Sequence, residues 1–397
     1  MDMNRKISFG AACVLMIMVA LLTFLITWVG SLRYTNARLE SVYLFEDSYS
    51  KLKEIDDYVR RYYIGQVDEG DLSDGILYGY VAALGDPFSM YMNAEDYKES
   101  MQSMQGQQEG IGVTVFYDAD TGYLKVVSVV ENSPAENIGI HAGDILYKVG
   151  GEDIAQLGYY PAVAKIKGEA GTTVNLTVLR GNEELTFDVV RAVVQTKTVS
   201  YRKMESNIGY IDIESFDLTT TEEFKNALNE LKKQGCDRFV FDVRHNPGGN
   251  LTTICDVLDM LLPAGPIIRI EYNDGSVHSY SSDASCLEMP MAVLIDENSY
   301  SAAELFAAAL KDYEIATLVG TTTYGKGTMQ QTVPLKDGES ALHLSIAKYS
   351  PPFSENYHGV GVTPNVEVKL SKDVTFWELT DETDTQLAAA KAVLEIQ

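Results

Sequence analysis

A short apolar run, a serine and then an alanine-rich run constrain the fold of this chain more than any other stretch. Residues 291–295 are typical of a buried strand and residues 302–310 of a helix, so Ser301 is predicted to lie at a strand-to-helix turn. Such a turn exposes the serine Oγ, and the helix start offers N–H groups that lack partners. Ser301 is therefore a candidate nucleophile for acyl transfer. The run Ser301-Ala-Ala-Glu304 also matches a capping box, and those four residues alone favour that structural role.

A lysine between two glycines follows the predicted helix. Lys326 stands in the run Tyr324-Gly-Lys-Gly-Thr-Met-Gln330, and a neutral amine there can take the proton of Ser301 without a histidine. A free lysine has a pKa of about 10.4, so catalysis near neutral pH requires that burial lower this pKa by roughly 2–3 units. Residues 320–326 match a P-loop up to the lysine, but Gly327 stands where a P-loop needs Ser or Thr, which disfavours nucleotide binding.

The composition argues against several classes of function. The chain has 397 residues and a net charge of −26, with a pI of about 4.5. Such an acidic surface repels nucleic acid, and the sequence has no basic patch for phosphate groups. The four cysteines show no CxxC spacing, and none of the five histidines stands in an HExxH motif. We therefore expect no metal, no other cofactor and no disulfide framework.

The amino-terminal segment predicts a membrane anchor. Residues 7–32 carry no charge and are long enough to span a bilayer as a helix, with Trp28 near the far end as an interfacial aromatic residue. No small-residue cleavage site follows, which favours an uncleaved single-pass anchor over residues 1–33, although a removed signal peptide remains the alternative. We expect the amino terminus in the cytoplasm and the catalytic part outside the cell membrane. The charges that flank the segment support this orientation only weakly.

Residues 34–105 form a predicted helical region without obvious chemistry. Five apolar residues at helical spacing predict a stripe that faces a core: Leu52, Ile55, Tyr58, Val59 and Tyr62. Asp86-Pro87 predicts a turn after the next helix. The run Ser50-Lys-Leu-Lys53 matches a Ser-x-x-Lys signature, but it has no partner motifs and is interpreted as a chance match.

Residues 106–194 form a predicted β-rich segment. Strands are expected at 124–130, 145–149, 174–179 and 185–190, with a short helix after Ser133 and a main helix at 160–166. The run Gly110-Ile-Gly-Val113, followed by Ser-Pro-Ala, Gly-Ile and Gly-Asp-Ile-Leu, resembles a PDZ domain. The resemblance implies that Gly110, Ile111, Gly112 and Val113 hold a chain-terminal carboxylate while the ligand adds a strand to the sheet edge. The alternative is a small β-domain whose glycines serve only its turns.

Residues 195–397 alternate strands and helices. Segments 208–213, 221–234 and 238–243 predict a partly parallel α/β sheet. The run Asp242-Val-Arg-His-Asn-Pro-Gly-Gly-Asn-Leu251 follows, and its glycines allow backbone N–H groups to turn toward a ligand. With Ser301 and Lys326, this loop supplies a candidate oxyanion donor, and the N–H of Ala302 is the second candidate.

These three motifs, in this order behind a PDZ-like segment, resemble the C-terminal processing peptidases, also called tail-specific proteases. Two further runs also fit the resemblance, Leu84-Gly-Asp-Pro-Phe-Ser89 and Gly359-Val-Gly-Val-Thr-Pro-Asn365. The family implies an α/β core similar to ClpP and crotonase that carries an inserted PDZ-like domain. It also implies a serine endopeptidase that recognises proteins or peptides by their free C-terminal tails.

The same resemblance assigns roles to individual residues. It implies Ser301 as nucleophile, Lys326 as base, Gln330 as the residue that orients the lysine, and Gly248 with Ala302 as the oxyanion hole. A glutamine suits its position because a carboxylate there would stabilise the ammonium form of the base. The chain departs from the family pattern in three places without losing a catalytic atom: Tyr300, His245 and Asn365.

Three other interpretations remain open. His245 lies beside the predicted oxyanion loop and is a rival base in a Ser-His-Asp arrangement. A non-catalytic membrane protein on a degenerate protease fold would bind tails without cleaving them. A crotonase-like acyl-CoA enzyme would need a basic site for the CoA phosphates, which this acidic sequence does not offer. The sequence leaves open the natural substrate and whether the chain forms a homo-oligomer.

Overall fold

The computed structural model describes residues 9–371 and 375–396. They divide into two units, one ending at residue 76 and one beginning at residue 77. The first unit consists largely of one helix, α1 (Phe9–Tyr62), in which the predicted anchor continues directly into the predicted helical region. Its stretch Val14–Ser31 is long and apolar enough to cross a membrane and is unburied. A signal sequence near an amino terminus has the same properties.

The apolar stripe of α1 does not face a core. Ile55 and Tyr58 are each 58% exposed and Tyr62 is 64% exposed, while Leu52 and Val59 are half-buried, so the prediction of a core-facing stripe is wrong. Helical spacing indicates that side chains share one face of a helix, but it does not indicate whether another element covers that face.

The region 34–105 also contains a strand. α2 (Glu69–Ala82) is followed by the turn predicted at Asp86-Pro87, then by β1 (Met90–Met92) and α3 (Ala94–Met104). β1 pairs antiparallel with residues 341–343, far along the chain. A strand of three residues is too short to show a period in the sequence, so its pairing partner decides its conformation.

The PDZ-like segment is an antiparallel sheet with three short helices. Its strands run in the order β3-β4-β5-β7-β8, which leaves β3 at an edge, while β2 pairs separately with β9. The four predicted strands and the main helix are confirmed to within about two residues at their ends. The elements are β2 (Gln107–Gly110), β3 (Val113–Tyr117), β4 (Leu124–Val129), α4 (Pro134–Asn137), β5 (Ile145–Val149), β6 (Glu152–Asp153), α5 (Ile154–Leu157), α6 (Tyr159–Ile166), β7 (Thr173–Arg180), β8 (Glu183–Val190) and β9 (Ala192–Gln195).

The remainder is an α/β core with two sheets, and the strand predicted at 208–213 is confirmed as β11. Two 3₁₀ turns, Glu205–Asn207 and Phe376–Glu378, lie among its elements. The elements are β10 (Val199–Lys203), β11 (Ile208–Ile213), α7 (Thr220–Lys233), β12 (Arg238–Asp242), α8 (Leu251–Asp259), β13 (Gly265–Tyr272), β14 (Val277–Ser282), β15 (Met291–Ile295), α9 (Ala302–Asp312), β16 (Ala316–Gly320), β17 (Thr328–Pro334), β18 (Ala341–Ser350), β19 (Val366–Glu367) and α10 (Thr385–Ile396).

The larger sheet of the core has the order β10-β11-β12-β15-β16-β19, and every pair is parallel except β10 with β11. Successive side chains of a strand point to opposite faces. In β12, Phe239 and Phe241 therefore pack in the cluster that contains α7, α8 and α9, while Val240 packs with Leu387 and Leu394 of α10. Because both faces are covered, the central strand β15 is apolar throughout, which explains the continuous run 291–295.

The second sheet is antiparallel and forms one wall of the site. β18 lies at its centre and pairs with β1, β13 and β17, and β14 extends the sheet beyond β13. β17 begins two residues after Lys326 and carries Gln330. The lysine loop is therefore held between the end of β16 in the larger sheet and the start of β17 in this one.

Candidate active site

Ser301 occupies a strained turn between β15 and α9, as predicted. Its backbone has φ 61° and ψ −118°, a conformation that residues with a side chain rarely adopt. Its N–H donates to Glu304 Oε2 at 2.9 Å, which is the capping interaction that the sequence also predicted. Among the residues that the structure describes, no acceptor contacts the N–H of Ala302 at the helix start. The four residues Ser301–Glu304 therefore form the helix cap and also place the serine at the turn.

Glu304 joins the serine turn to the lysine loop. It is fully buried, and besides Ser301 N–H its carboxylate accepts the Thr323 hydroxyl at 2.5 Å, the Gly325 N–H at 2.6 Å and the Lys326 N–H at 2.7 Å. A buried carboxylate is tolerated when such donors replace its hydration. One side chain thus fixes the backbone of both predicted catalytic residues.

The side chain of Lys326 lies among aromatic rings. Its Nζ is 4.6 Å from the ring centre of Phe88 and 5.8 Å from that of Tyr300. Among residues 9–371 and 375–396, this amine has no hydrogen-bond or ion-pair partner, Ser301 included. Burial lowers the pKa of Lys326 below its usual value, while the charges of Asp86 and Glu304 act in the opposite direction. The amine is therefore shifted toward the neutral form that a base requires.

Gln330 lies near the lysine loop but binds elsewhere. Its Nε2 donates to the Thr328 hydroxyl at 3.0 Å and to the Ser345 hydroxyl at 2.9 Å. The Ser345 N–H donates to Ser89 Oγ at 3.0 Å. The expected contact between Gln330 and Lys326 is thus not formed in this structure, and orientation of the base by Gln330 stays a prediction.

Gly248 lies directly against the serine turn. Its φ is 94°, and a Cβ atom there would lie 2.7 Å from Ser301 Cβ and 2.9 Å from Ala302 N. Only glycine fits both this backbone conformation and this approach. The Gly248 N–H donates to Asn246 Oδ1 at 2.8 Å, so an oxyanion has to replace that acceptor before this group can stabilise it.

Ser301, Ala302, Lys326 and Gln330 line one cavity of about 870 Å³. Its remaining wall is largely apolar, with side chains contributed by α3, α8, α9, β13, β17 and β18: Met101, Met104, Leu251, Ile254, Ile268, Leu305, Met329 and Ile346. Such a cavity can take an apolar side chain of a peptide beside the serine while excluding water from the amine.

The predicted tail site lines a second cavity of about 440 Å³. Residues 110–113 lie on one side, and Val163 and Ile166 of α6 lie on another. Pro247, Gly248 and Gly249 of the predicted oxyanion loop line the same cavity. Because β3 is an edge strand, its free N–H and C=O groups are available to an added peptide strand. A peptide bound there has a path toward the serine turn.

His245 is paired away from the serine turn. Its Nδ1 lies 2.6 Å from Asp296 Oδ2, its Nε2 lies 3.1 Å from Asn298 Nδ2, and its ring stacks on Phe376 at 4.0 Å. Burial works against the charged form of Asp296, but its hydrogen bonds with His245 and Ser299 hold its pKa below the usual range. Both ring nitrogens therefore lie against groups other than Ser301, which argues against His245 as the base.

Sequence reasoning missed two contributors to the site. Tyr349 of β18 is buried, and its hydroxyl donates to the Lys326 carbonyl at 2.9 Å. Burial raises the pKa of this tyrosine, so the hydroxyl stays protonated as a donor. Glu304 was interpreted only as half of a cap. An acid inside the apolar run 302–310 was the available signal, since a buried carboxylate needs several donors.

Three family models match the chain. Residues 207–368 match peptidase family S41, residues 108–190 match a PDZ domain, and residues 30–96 match the domain described as the activating protease CtpB N-terminal domain. The S41 match contains Gly248, Ser301, Lys326 and Gln330, and the PDZ match contains residues 110–113.

Curated proteins and a solved structure agree with these models. The chain is 32% identical over 328 residues to the carboxy-terminal processing protease CtpA of Bacillus subtilis (strain 168), a match that covers 82% of this chain and 70% of that protein. It is 30% identical over 321 residues to the carboxyl-terminal-processing protease of Synechocystis sp. (strain ATCC 27184 / PCC 6803 / Kazusa), covering 79% and 75%. The structure of the photosystem II D1 C-terminal processing protease is 26% identical, with a TM-score of 0.50 and coverage of 80% and 86%. The chain belongs to peptidase family S41 and is a carboxy-terminal processing serine protease with a PDZ domain.

Proposed function

We propose that this protein is a membrane-anchored endopeptidase that captures free C-terminal tails in its PDZ domain and cleaves the substrate through Ser301 and Lys326. The observation that carries the proposal is the shared anchoring of both residues by Glu304. A buried carboxylate that fixes the serine turn and the lysine loop together is explained by a reaction that needs both. The parallel sheet with helices on both faces supports the expected likeness of the core to ClpP and crotonase.

In the proposed reaction, neutral Lys326 swings from its aromatic surroundings to Ser301 and takes the hydroxyl proton as Oγ attacks the peptide carbonyl. The N–H groups of Ala302 and Gly248 stabilise the oxyanion, the latter after it leaves Asn246. Lys326 then gives its proton to the departing amine, which leaves an acyl-enzyme. Water, deprotonated by the same amine, releases the acyl group and restores the serine. Gln330 is proposed to turn toward Lys326 and hold the amine in line.

The tail site acts before this chemistry. The N–H groups of residues 110–113 are proposed to bind the terminal carboxylate while the peptide extends along β3. The contact of Pro247, Gly248 and Gly249 with the same cavity supports delivery of the chain toward Ser301. An amidated tail lacks the carboxylate, so it is expected to bind poorly.

The proposed membrane anchor is the apolar stretch near the amino terminus. The stretch Val14–Ser31 supports a single-pass helix with the catalytic part outside the cytoplasm, and a removed signal peptide is the alternative. Mass spectrometry of the mature amino terminus distinguishes the two, because an anchored protein keeps this stretch. Extraction of the protein from membranes at alkaline pH would contradict anchoring.

A matched set of variants and peptides tests the chemistry. Unfolded peptides with free and amidated C-termini are incubated with the wild type, Ser301→Ala, Lys326→Ala and Lys336→Ala, the last being an exposed lysine of the neighbouring loop. We expect the wild type and Lys336→Ala to cleave the peptide with a free C-terminus and not the amidated one. The other two variants are expected to cleave neither. Turnover by Lys326→Ala comparable to wild type contradicts the dyad, and equal cleavage of both peptide forms contradicts tail recognition.

A further inference from the structure

The amine of Lys326 occupies a defined place between two aromatic side chains. Phe88 lies in the turn before β1, and its ring centre is 4.6 Å from Nζ. Tyr300 lies immediately before Ser301, and its ring centre is 5.8 Å from Nζ. Both distances fall within the range in which a ring face attracts an ammonium group. We call this pair, Phe88 and Tyr300, the aromatic slot.

The two rings are themselves held by neighbours. The Tyr300 ring packs against Tyr324 at 5.5 Å, and the Phe88 ring contacts Tyr324 at 6.3 Å and His358 at 6.5 Å. Tyr300 N–H donates to the Asn246 carbonyl, which also fixes its backbone. The slot is therefore a built feature of the fold and not a loose contact of one side chain.

The backbone of Lys326 is fixed while its side chain is not hydrogen bonded. Its N–H donates to Glu304 and its carbonyl accepts from Tyr349. Among the described residues, nothing donates to or accepts from Nζ. The Lys326 side chain can therefore rotate without breaking a hydrogen bond of its amine to a described residue.

The charged and titratable groups around the amine favour its ammonium form. Asp86 and Glu304 face it with negative charge. Burial and, less strongly, the charge of Lys326 lower the pKa of His343 in β18, while Asp86 acts in the opposite direction. The Nδ1 atom of His358 accepts the Gly327 N–H at 3.3 Å. The ring faces add to the two carboxylates, because they attract the ammonium and not the neutral amine.

We propose that Phe88 and Tyr300 are positioning residues that hold the ammonium form of Lys326 away from Ser301 and release the amine once it has lost its proton to solvent. This proposal rests on the Ser301–Lys326 reaction proposed above and adds the resting place of its base. The direction of the effect follows from the charge preference of a ring face. The slot stabilises the ammonium form, so the pKa of Lys326 is higher than it would be with burial alone. The neutral base therefore becomes available at a higher pH.

The test is the pH dependence of kcat/KM on a free-tail peptide with the full-length protein. Phe88→Leu and Tyr300→Leu keep an apolar group beside the amine but remove one ring face each. The acid limb of the profile is expected to shift to lower pH by about half a unit in each variant, which raises activity on that limb about threefold. Tyr300→Phe is the matched comparison, since it keeps the ring and loses only the hydroxyl, so the pH of its acid limb is expected to coincide with that of the wild type, whatever its absolute rate.

A direct titration of the amine accompanies the kinetics. Trace acetylation followed by mass spectrometry measures the pH at which Lys326 becomes nucleophilic, and the same downward shift is expected in both leucine variants. The proposal is contradicted if the acid limb and the pH midpoint of labelling stay in place in the leucine variants or move to higher pH. If one leucine variant fails to fold, the other decides, because each removes a separate ring. Activity of Lys326→Ala would instead overturn the dyad itself, so the two failures are distinguishable.

Discussion

Ser301 and Lys326 are anchored to the same carboxylate, yet different parts of the two residues are held. At Ser301 a strained backbone, the head of α9 and the close approach of Gly248 fix the position of the side chain. At Lys326 the backbone is equally fixed, but the amine rests on ring faces without a hydrogen bond among the described residues. If Ser301 and Lys326 act as proposed, the nucleophile is preformed and the base becomes available by a side-chain movement.

The largest expected effect comes from removing the carboxylate that both regions share. Glu304→Ala leaves four donors without their acceptor, two of them buried, so we expect activity to fall at least about 10³-fold and the free energy of unfolding to fall by about 3 kcal/mol or more. The measurement is kcat/KM together with denaturant unfolding. The exposed Glu355→Ala is the control and is expected to change neither quantity.

Glu304→Gln sharpens this result. Oε2 serves Ser301 and Lys326, while Oε1 serves Thr323 and Gly325. An amide keeps one carbonyl oxygen, so it satisfies one of these two pairs of donors. The activity and the free energy of unfolding of Glu304→Gln are therefore expected to lie between those of the wild type and those of Glu304→Ala. Wild-type activity in Glu304→Ala would contradict the shared anchoring.

A smaller effect is expected from a change confined to the serine side. Gly248→Ala places a Cβ atom 2.7 Å from Ser301 Cβ at a φ of 94°, so it displaces the predicted oxyanion donor. We expect kcat to fall about 10²-fold, the range found when one such donor is lost. Gly275→Ala is the matched control, because its φ is 80° but no atom lies near the added methyl group. Equal losses in the two variants would show that backbone strain alone is responsible.

The sequence was sufficient for the elements that depend on local pattern. The run 291–295, the turn serine and the helix after it are confirmed, because a buried parallel strand and a capped helix each leave a local signature. The strands of the PDZ-like segment are confirmed for the same reason, since turn glycines and alternating apolar residues mark their limits.

The rest of the site depends on contacts between distant segments. The position of Phe88 beside Lys326 requires the pairing of β1 with β18, which no local pattern of three residues indicates. The hydrogen bonds of Gln330 to Thr328 and Ser345 depend on a side-chain rotamer. The stripe of α1 shows the opposite error, because a clear helical period predicts a buried face and three of its five side chains are exposed.

The smallest expected effect is on the lysine side and concerns pH. The negative charge of Asp86 stabilises the ammonium form of Lys326 and opposes the lowering of its pKa by burial. In the proposed reaction Lys326 works as a neutral base, so activity is expected to rise as pH rises through the pKa of Lys326. Asp86→Asn removes the opposing charge, which moves the acid limb of kcat/KM to lower pH and raises activity on that limb a few-fold.

The exposed Asp120→Asn is the control for this variant, because it removes the same charge from a loop of the PDZ domain. Its acid limb is expected to coincide with that of the wild type. A limb that moves to higher pH in Asp86→Asn would mean that Asp86 acts chiefly through its hydrogen bonds with Ser89 and the Phe88 N–H, by keeping the site closed to water. Closure of this turn would then determine the protonation of Lys326. The difference between the fixed serine and the amine without a hydrogen bond would therefore depend on the backbone that carries Phe88.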